Sequence, residues 1–247
     1  MKVEREMMRL NTLKLSVLAL AVIAQFSAMA GEKEVRQTLK KTFPDMEVSG
    51  ISKTPYGGLF EVVVDGQIAY ATADGKYLLL GNVIDVSSRK NLTAARNAKL
   101  NEVNWASLPL NKAIKEVRGN GSRKLAVFSD ADCPFCKKLE PELEKLSNVT
   151  IYTFLNPIAS LHPSAVPLSK QIWCEKDRLK AWKAYMLKGE KPTAKGDCDN
   201  TVDEVIALGN KLRVTGTPTL IFENGQRVPG YMPAAKLDPL LTAASGK

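Results

Sequence analysis

The sequence predicts an α+β protein in two parts: a small N-terminal unit of one helix and several strands, and a larger C-terminal α/β unit built on a mixed sheet. Three observations predict it. Apolar residues recur with period two from Met46 to Val86, with Asp-Gly turns between the runs. From Lys124 the order becomes strand, helix, strand, helices, hairpin, helix, which implies a sheet covered on both faces. The composition is ordinary for a globular chain: 247 residues, 45% hydrophobic, 25% charged, with 16 Gly and 13 Pro. That excludes wholesale disorder, collagen-like structure and a many-helix membrane protein.

The first thirty residues read as a secretory signal peptide. Met1 to Lys14 is basic, Leu15 to Ala24 is a short apolar run, and Ala28-Met29-Ala30 is a small-x-small cleavage pattern, placing the cut after Ala30. The apolar run is shorter than the ~20 residues a spanning helix needs. Cleavage would remove four basic and two acidic residues from totals of 35 and 26, leaving 31 and 24, a net of +7. These charges are interspersed rather than gathered in a stripe, so they read as a solvated surface and not as a nucleic-acid site.

Glu32 to Phe43 carries Val35, Leu39 and Phe43 at helical spacing and is closed by Pro44. MEVSGISK, LFEVVVD, QIAYATAD and KYLLLGNVIDV alternate as strands, with hairpin turns at Asp65-Gly66 and Asp74-Gly75. This unit, residues 31–95, holds no Cys and no His. Asn91 to Val117 has helical composition interrupted by Pro109. One helix over Arg96 to Leu108 would span about 20 Å and serve, with the residues to 112, as a linker to a domain over 113–247. Asn120-Gly121 marks the loop into that domain.

Lys124–Ser129 is a buried strand, Pro134–Ser147 a helix and Val149–Leu155 a second strand. Ser164–Leu212 is mainly helical, with a loop around Gly189 to Asn200. Thr219–Glu223 and Gln226–Val228 flank Asn224-Gly225 as a hairpin, and Pro233–Ala244 closes the chain as a helix.

The chemistry concentrates in Cys133-Pro134-Phe135-Cys136, where a buried strand runs into a helix. A thiolate at the helix N-terminus meets unpaired backbone N–H groups and the positive end of the helix dipole, which lower its pKa. Cys136, three residues on, lies on the same face one turn later, within reach of a disulfide. Pro134 suits the first turn, where a missing N–H costs nothing. The other thiols are Cys174 and Cys198. The simplest pairing is Cys133 with Cys136 and Cys174 with Cys198, although four cysteines allow three connectivities. One C-x2-C followed by two widely spaced cysteines is not a zinc pattern, and no metal site is expected. His162, the single histidine, reads as a loop residue rather than a catalytic base, and Trp105, Trp173 and Trp182 as packing residues. The sequons at Asn91 and Asn148 are read as chance matches.

Far downstream, Val214-Thr215-Gly216-Thr217-Pro218-Thr219 places a proline just before a buried strand, where a tight turn and a cis bond are expected. Together with the C-x2-C this resembles a thioredoxin fold. Through FSDADCPFCKKLEPEL, IWCEKD, ALGNKLRVTGTPTLIFENGQRVPGYMP and ADGKYLLLGNVIDVSS, the chain from Gly31 onward resembles the periplasmic disulfide isomerases of the DsbC type.

The resemblance implies a homodimer joined through the N-terminal domains, a linker helix, and a thioredoxin-like domain with a helical insertion. It implies that Cys133 is the nucleophile, Cys136 the resolving cysteine, and Thr217 and Pro218 the turn that binds extended substrate. Cys174 and Cys198 match a structural disulfide. It further implies a periplasmic location, misfolded exported proteins as substrates, chaperone-like binding of unfolded chains, no cofactor, and a membrane thiol reductase of the DsbD type as electron donor. Three positions depart from the pattern. Pro134-Phe135 stands where these isomerases usually carry Gly-Tyr, Lys137 where His is usual, and Val127 where thioredoxins bury an acid. The first departure leaves room for a dithiol oxidase or a reductase of restricted range. A holdase with an incidental disulfide is the reading from another class.

Overall fold

The structure, a computed structural model, describes residues 31–246; the expected signal peptide and its cleavage point lie outside the described residues. The chain divides into two compact units between Leu100 and Asn101.

In the first unit, helix α1 covers residues 31–42. Strands β1 (Val48–Lys53), β2 (Phe60–Val64), β3 (Gln67–Ala71) and β4 (Leu78–Leu79) form an antiparallel sheet in sequence order. The alternation predicted by period two is observed. Phe60, Val62 and Ala71 pack with Val35 and Leu39 of α1, while Val63, Ile68 and Tyr70 face the other way. Phe43, expected on the apolar face of α1, falls beyond its end and is 46% exposed. At the β2–β3 turn Asp65 and Gly66 both adopt positive φ, 50° and 79°, the left-handed pair a two-residue hairpin needs for its twist to match the strands.

KYLLLGNVIDV is not one strand. It breaks at Gly81, and β5 (Ile84–Asp85) pairs instead with β6 (Lys90–Asn91) in a separate ribbon. Helix α2 (Leu92–Leu100) follows, its Thr93 hydroxyl hydrogen-bonded to Tyr70 Oη at 2.6 Å.

The continuous helix expected over Arg96–Leu108 is not formed. α2 stops at Leu100, and two 3₁₀ turns follow, Trp105–Ser107 and Leu110–Lys112. Pro109 lies between them, and Asn104 caps the first through its side chain. The Lys- and Glu-containing segment that looked helical ends in strand β7 (Ile114–Arg118), antiparallel to β9 (Val149–Leu155). β7 is an edge strand whose alternate residues face outward, so its composition resembles that of an exposed helix.

The second unit has five strands in the order β11-β10-β8-β9-β7. β8 (Arg123–Ser129) and β9 are parallel, joined through α3 (Pro134–Glu144); β10 (Thr219–Phe222) and β11 (Arg227–Pro229) form the closing hairpin. Side-chain alternation on β8 builds both layers. Leu125 and Val127 pack with Leu139, Leu143, Leu237 and Leu241 of α3 and α7 (Ala234–Ala244). Ala126 and Phe128 face Val205 of α6 (Val202–Lys211) on the opposite side, where Phe128 stacks on Phe154 at 4.8 Å. Helices α4 (Ala165–Cys174) and α5 (Arg178–Lys188) are inserted between β9 and α6. Their Ile172, Trp173, Trp182 and Met186 form a third cluster that includes Cys133 and Cys136. Among the described residues no helix is long and apolar enough to cross a membrane.

Candidate active site

β8 delivers its C-terminal end to a four-residue turn, Asp130-Ala131-Asp132-Cys133, and Cys133 is the N-cap of α3. Its backbone is extended, and Pro134 opens the first turn, as the sequence predicts. The first helical bond runs from Lys137 N–H to the Cys133 carbonyl at 3.1 Å. Pro141, inside α3, cannot donate to the Lys137 carbonyl one turn back.

The turn Thr217-Pro218 comes from the far end of the chain, 84 residues on, and lies against the cysteine pair. The Thr217–Pro218 peptide is cis, and the Cys133 thiol points at the Thr217 carbonyl, with Sγ at 3.3 Å. The Thr219 hydroxyl donates to the Gly216 carbonyl and Gly230 N–H donates to the Pro218 carbonyl, so the turn is held on both sides.

The two thiols have different surroundings. Both are free. Cys133 is 4% exposed beside Phe135, which is 59% exposed, whereas Cys136 is wholly buried. The Cys136 thiol donates a hydrogen bond to the Cys133 sulfur, and the Thr217 side chain and the N–H groups of Cys136 and Phe135 add to it. These outweigh burial and bring the Cys133 pKa down to about 5. Burial together with the Cys133 sulfur drives the Cys136 pKa upward. One sulfur is therefore a ready thiolate at neutral pH and the other a protonated reserve behind it.

Polar residues outside the predicted site set surround this pair. Asp130, wholly buried, accepts from Asp132 N–H at 2.9 Å and Ile158 N–H at 2.8 Å, and pairs with His162 Nδ1 at 2.9 Å. Asp132 accepts from Ser164 and from the Tyr185 hydroxyl, both at 2.7 Å. Burial raises its pKa, but those two bonds outweigh burial and leave it low. Lys137 lies 4.8 Å from the centre of the Tyr185 ring. His162 is indeed a loop residue, between β9 and α4, yet it pairs with Asp130 across 32 residues. The only sequence signal for Asp130 was an acid three residues ahead of the C-x2-C; nothing local marked His162.

Val127 is apolar and buried, as expected, but acidity is not absent from the interior. Glu140, one turn after Cys136, is buried and accepts from Trp182 Nε1 at 2.9 Å. Burial raises its pKa to about 7 despite that bond.

Cys174, at the end of α4, is bonded to Cys198 in the loop before α6, with a Cα–Cα distance of 5.7 Å. That resolves the open connectivity and leaves Cys133 and Cys136 as the dithiol. Among the described residues no group of three or more His, Cys, Asp or Glu is arranged to hold a metal ion.

Comparison with known proteins gives a consistent result. Residues 110–245 match the family model of a thioredoxin-like domain, and residues 26–94 match that of the disulfide bond isomerase N-terminal domain. The chain is 39% identical over 207 residues to the "Probable thiol:disulfide interchange protein DsbC" of Bordetella pertussis, covering 84% of this chain and 73% of that protein. It is 29% identical over 235 residues to thiol:disulfide interchange protein DsbC of Escherichia coli K12, covering 93% and 96%. Among solved structures, a disulfide interchange protein from Neisseria gonorrhoeae superposes with a TM-score of 0.54 at 50% identity, over 56% of this chain and 99% of that one.

Proposed function

The chain belongs to the DsbC family of thiol:disulfide interchange proteins, with disulfide isomerase function, and from that premise we propose how its own residues carry out the exchange. Cys133 is the attacking thiolate, Cys136 the resolving thiol, and Thr217-Pro218 the docking turn for substrate. The observation that carries this reading is the asymmetry of the pair. A sulfur of lowered pKa sits at a helix N-terminus, where the Cys136 thiol and the N–H groups of Phe135 and Cys136 favour its ionised form, and a buried thiol stands behind it.

Cys133 attacks one sulfur of a non-native substrate disulfide. A Cys133–substrate disulfide forms, the substrate S–S bond breaks, and the departing sulfur leaves as a thiolate that takes a proton from water. A second substrate thiolate then attacks the mixed disulfide at the substrate sulfur, forms a new substrate disulfide and releases Cys133 as thiolate. No net electrons move in that cycle. When no substrate thiol is in place, Cys136 loses its proton and attacks Cys133. The Cys133–Cys136 disulfide forms, and the substrate departs reduced by two electrons. The enzyme must then be restored by a dithiol donor, a membrane reductase of the DsbD type.

An extended substrate strand aligns with the backbone at Thr217, the strand-addition mode. Exposed Phe135 offers it an apolar contact. The N-terminal unit joins two copies into a homodimer. Supporting this, β4 is a sheet edge with unpaired backbone groups, and its neighbours Tyr77 and Leu80 are apolar and exposed, Leu80 by 79%. The protein works in the periplasm on misfolded exported proteins and holds unfolded chains by apolar contact.

The test is recovery of activity by a scrambled-disulfide protein, with pre-reduced enzyme and no added oxidant, against Cys133→Ser. Recovery that requires Cys133 supports isomerisation. Recovery equal in the two proteins would overturn it and leave a holdase.

A further inference from the structure

Asp130 touches the dithiol through its backbone at both cysteines. Its carbonyl accepts from Cys133 N–H at 3.2 Å, and its N–H donates to Cys136 Sγ at 3.4 Å. Its side chain is wholly buried, and its hydrogen-bond partners are two backbone N–H groups and His162 Nδ1. A carboxylate buried to that degree needs a compensating charge. Among the described residues, His162 is the cationic side chain hydrogen-bonded to it. The nearby cation of α3, Lys137, is engaged with Tyr185 on α5.

We propose that His162 is a positioning residue of the exchange reaction, an imidazolium anchored on Asp130 whose proton holds Cys133 in the thiolate form. The proposal rests on Cys133 being the nucleophile. With the proton present, the Asp130–His162 pair is electrically neutral. Without it, the pair leaves a bare carboxylate on the residue whose backbone bonds both cysteines, and like charge disfavours the thiolate. The sign of the coupling follows from this charge count alone. Other charged or titratable groups facing the imidazole are Asp132 in the turn and, at the start of α3, Cys133 itself. Lys137 and Tyr185 bound the site through Asp132. The hydrogen bond to Asp130 raises the His162 pKa, and the charges on Cys133 and Asp132 reinforce it. The same loop is tied down by Ile158 N–H on the Asp130 carboxylate, four residues ahead of the imidazole.

Coupling between two titrating groups is reciprocal. If the imidazolium favours the thiolate, the thiolate must equally favour the imidazolium. The chain has one histidine, so its imidazole C–H resonances report the titration without ambiguity. The experiment is a proton NMR pH titration of the whole protein, reduced and with Cys133–Cys136 oxidised. The expected result is a protonation constant about threefold or more higher in the reduced form, with reduced Cys133→Ser titrating like the oxidised protein. Superimposable curves for the reduced and oxidised protein would overturn the proposal, as would a redox-independent curve in Cys133→Ser that matches reduced wild type. As a second readout, His162→Gln should move the Cys133 thiolate titration, followed by ultraviolet absorbance, to higher pH by a comparable factor; an unmoved midpoint would equally overturn it. Neither titration depends on isomerase turnover, so failure here is distinct from failure of the Cys133-dependent recovery assay.

Discussion

Replacing Cys136 by Ala removes the largest of the interactions that hold Cys133 ionised. In the intact site the Cys133 pKa falls from an ordinary 9.0 to about 5, roughly four pH units, or ~5 kcal/mol at 1.36 kcal/mol per unit. A hydrogen bond to a charged group contributes about 1.5–3 kcal/mol, so Cys136→Ala should raise the Cys133 pKa by about one to two units. It should not restore the free value, because Thr217 and the N–H groups of Phe135 and residue 136 remain. The assay is the rate of iodoacetamide alkylation of reduced protein against pH. Wild type should reach its plateau by about pH 6 and fall tenfold per unit below 5; the variant curve should lie one to two units higher. Stability must follow the same titration. A depressed thiol pKa stabilises the folded reduced protein fully above the unfolded value near 9, and that stabilisation is lost as pH falls towards about 5. At pH 7, midway, about 2–3 kcal/mol should separate reduced wild type from Cys133→Ser in denaturant melts, and almost none at pH 5. A wild-type alkylation midpoint above pH 8, or no displacement in Cys136→Ala, would refute the reasoning.

Three other outcomes follow from the structure. Cys174→Ala with Cys198→Ala opens a loop of 24 residues; loop-closure entropy puts the cost at about 3.5 kcal/mol. That is about 10 °C in a domain of this size, with Cys133-dependent exchange retained; exchange lost without a thermal shift would make this pair a second redox couple. Glu140, raised to about 7 by burial, weakens the fold as pH rises from 4.5 through 7, by about 3 kcal/mol. Glu140→Gln should flatten that slope in denaturant melts at pH 5 and 8 and abolish a Trp182 fluorescence transition near pH 7; an unchanged slope would contradict the assignment. Gly209→Ala would put a Cβ 2.3 Å from Asn156 Oδ1, a side chain 4% exposed, so a loss of about 1–3 kcal/mol by thermal melting is expected.

The legible parts of this protein are those whose information is local. Cys133 as an N-cap with Pro134 behind it is written in consecutive residues, and so are the alternation of β8 and the left-handed turn at Asp65-Gly66. Of the stretch Asn91 to Val117 that reads as helical, only Leu92–Leu100 is an α-helix, because the Lys, Glu and Val beyond it suit a helix as well as an edge strand. What makes Ile114–Arg118 a strand is β9, paired from more than thirty residues away. KYLLLGNVIDV was misread for a similar reason: its second half pairs with Lys90–Asn91 rather than continuing the sheet.

The sequence by itself determined the two-unit α+β plan, the dithiol at a strand–helix junction, and the distal Thr-Pro turn, because periodicity, capping and proline act over a few residues. Tertiary structure alone decided how completely Cys136 is buried and how far apart the two thiols are driven in acidity. It also paired Cys174 with Cys198, set His162 on Asp130, and buried Glu140 against Trp182. Those facts depend on burial and on charges brought together across 24 to 84 residues of chain. Electrostatic energies depend on distance and solvent access, and a sequence fixes neither until the chain has closed around the site.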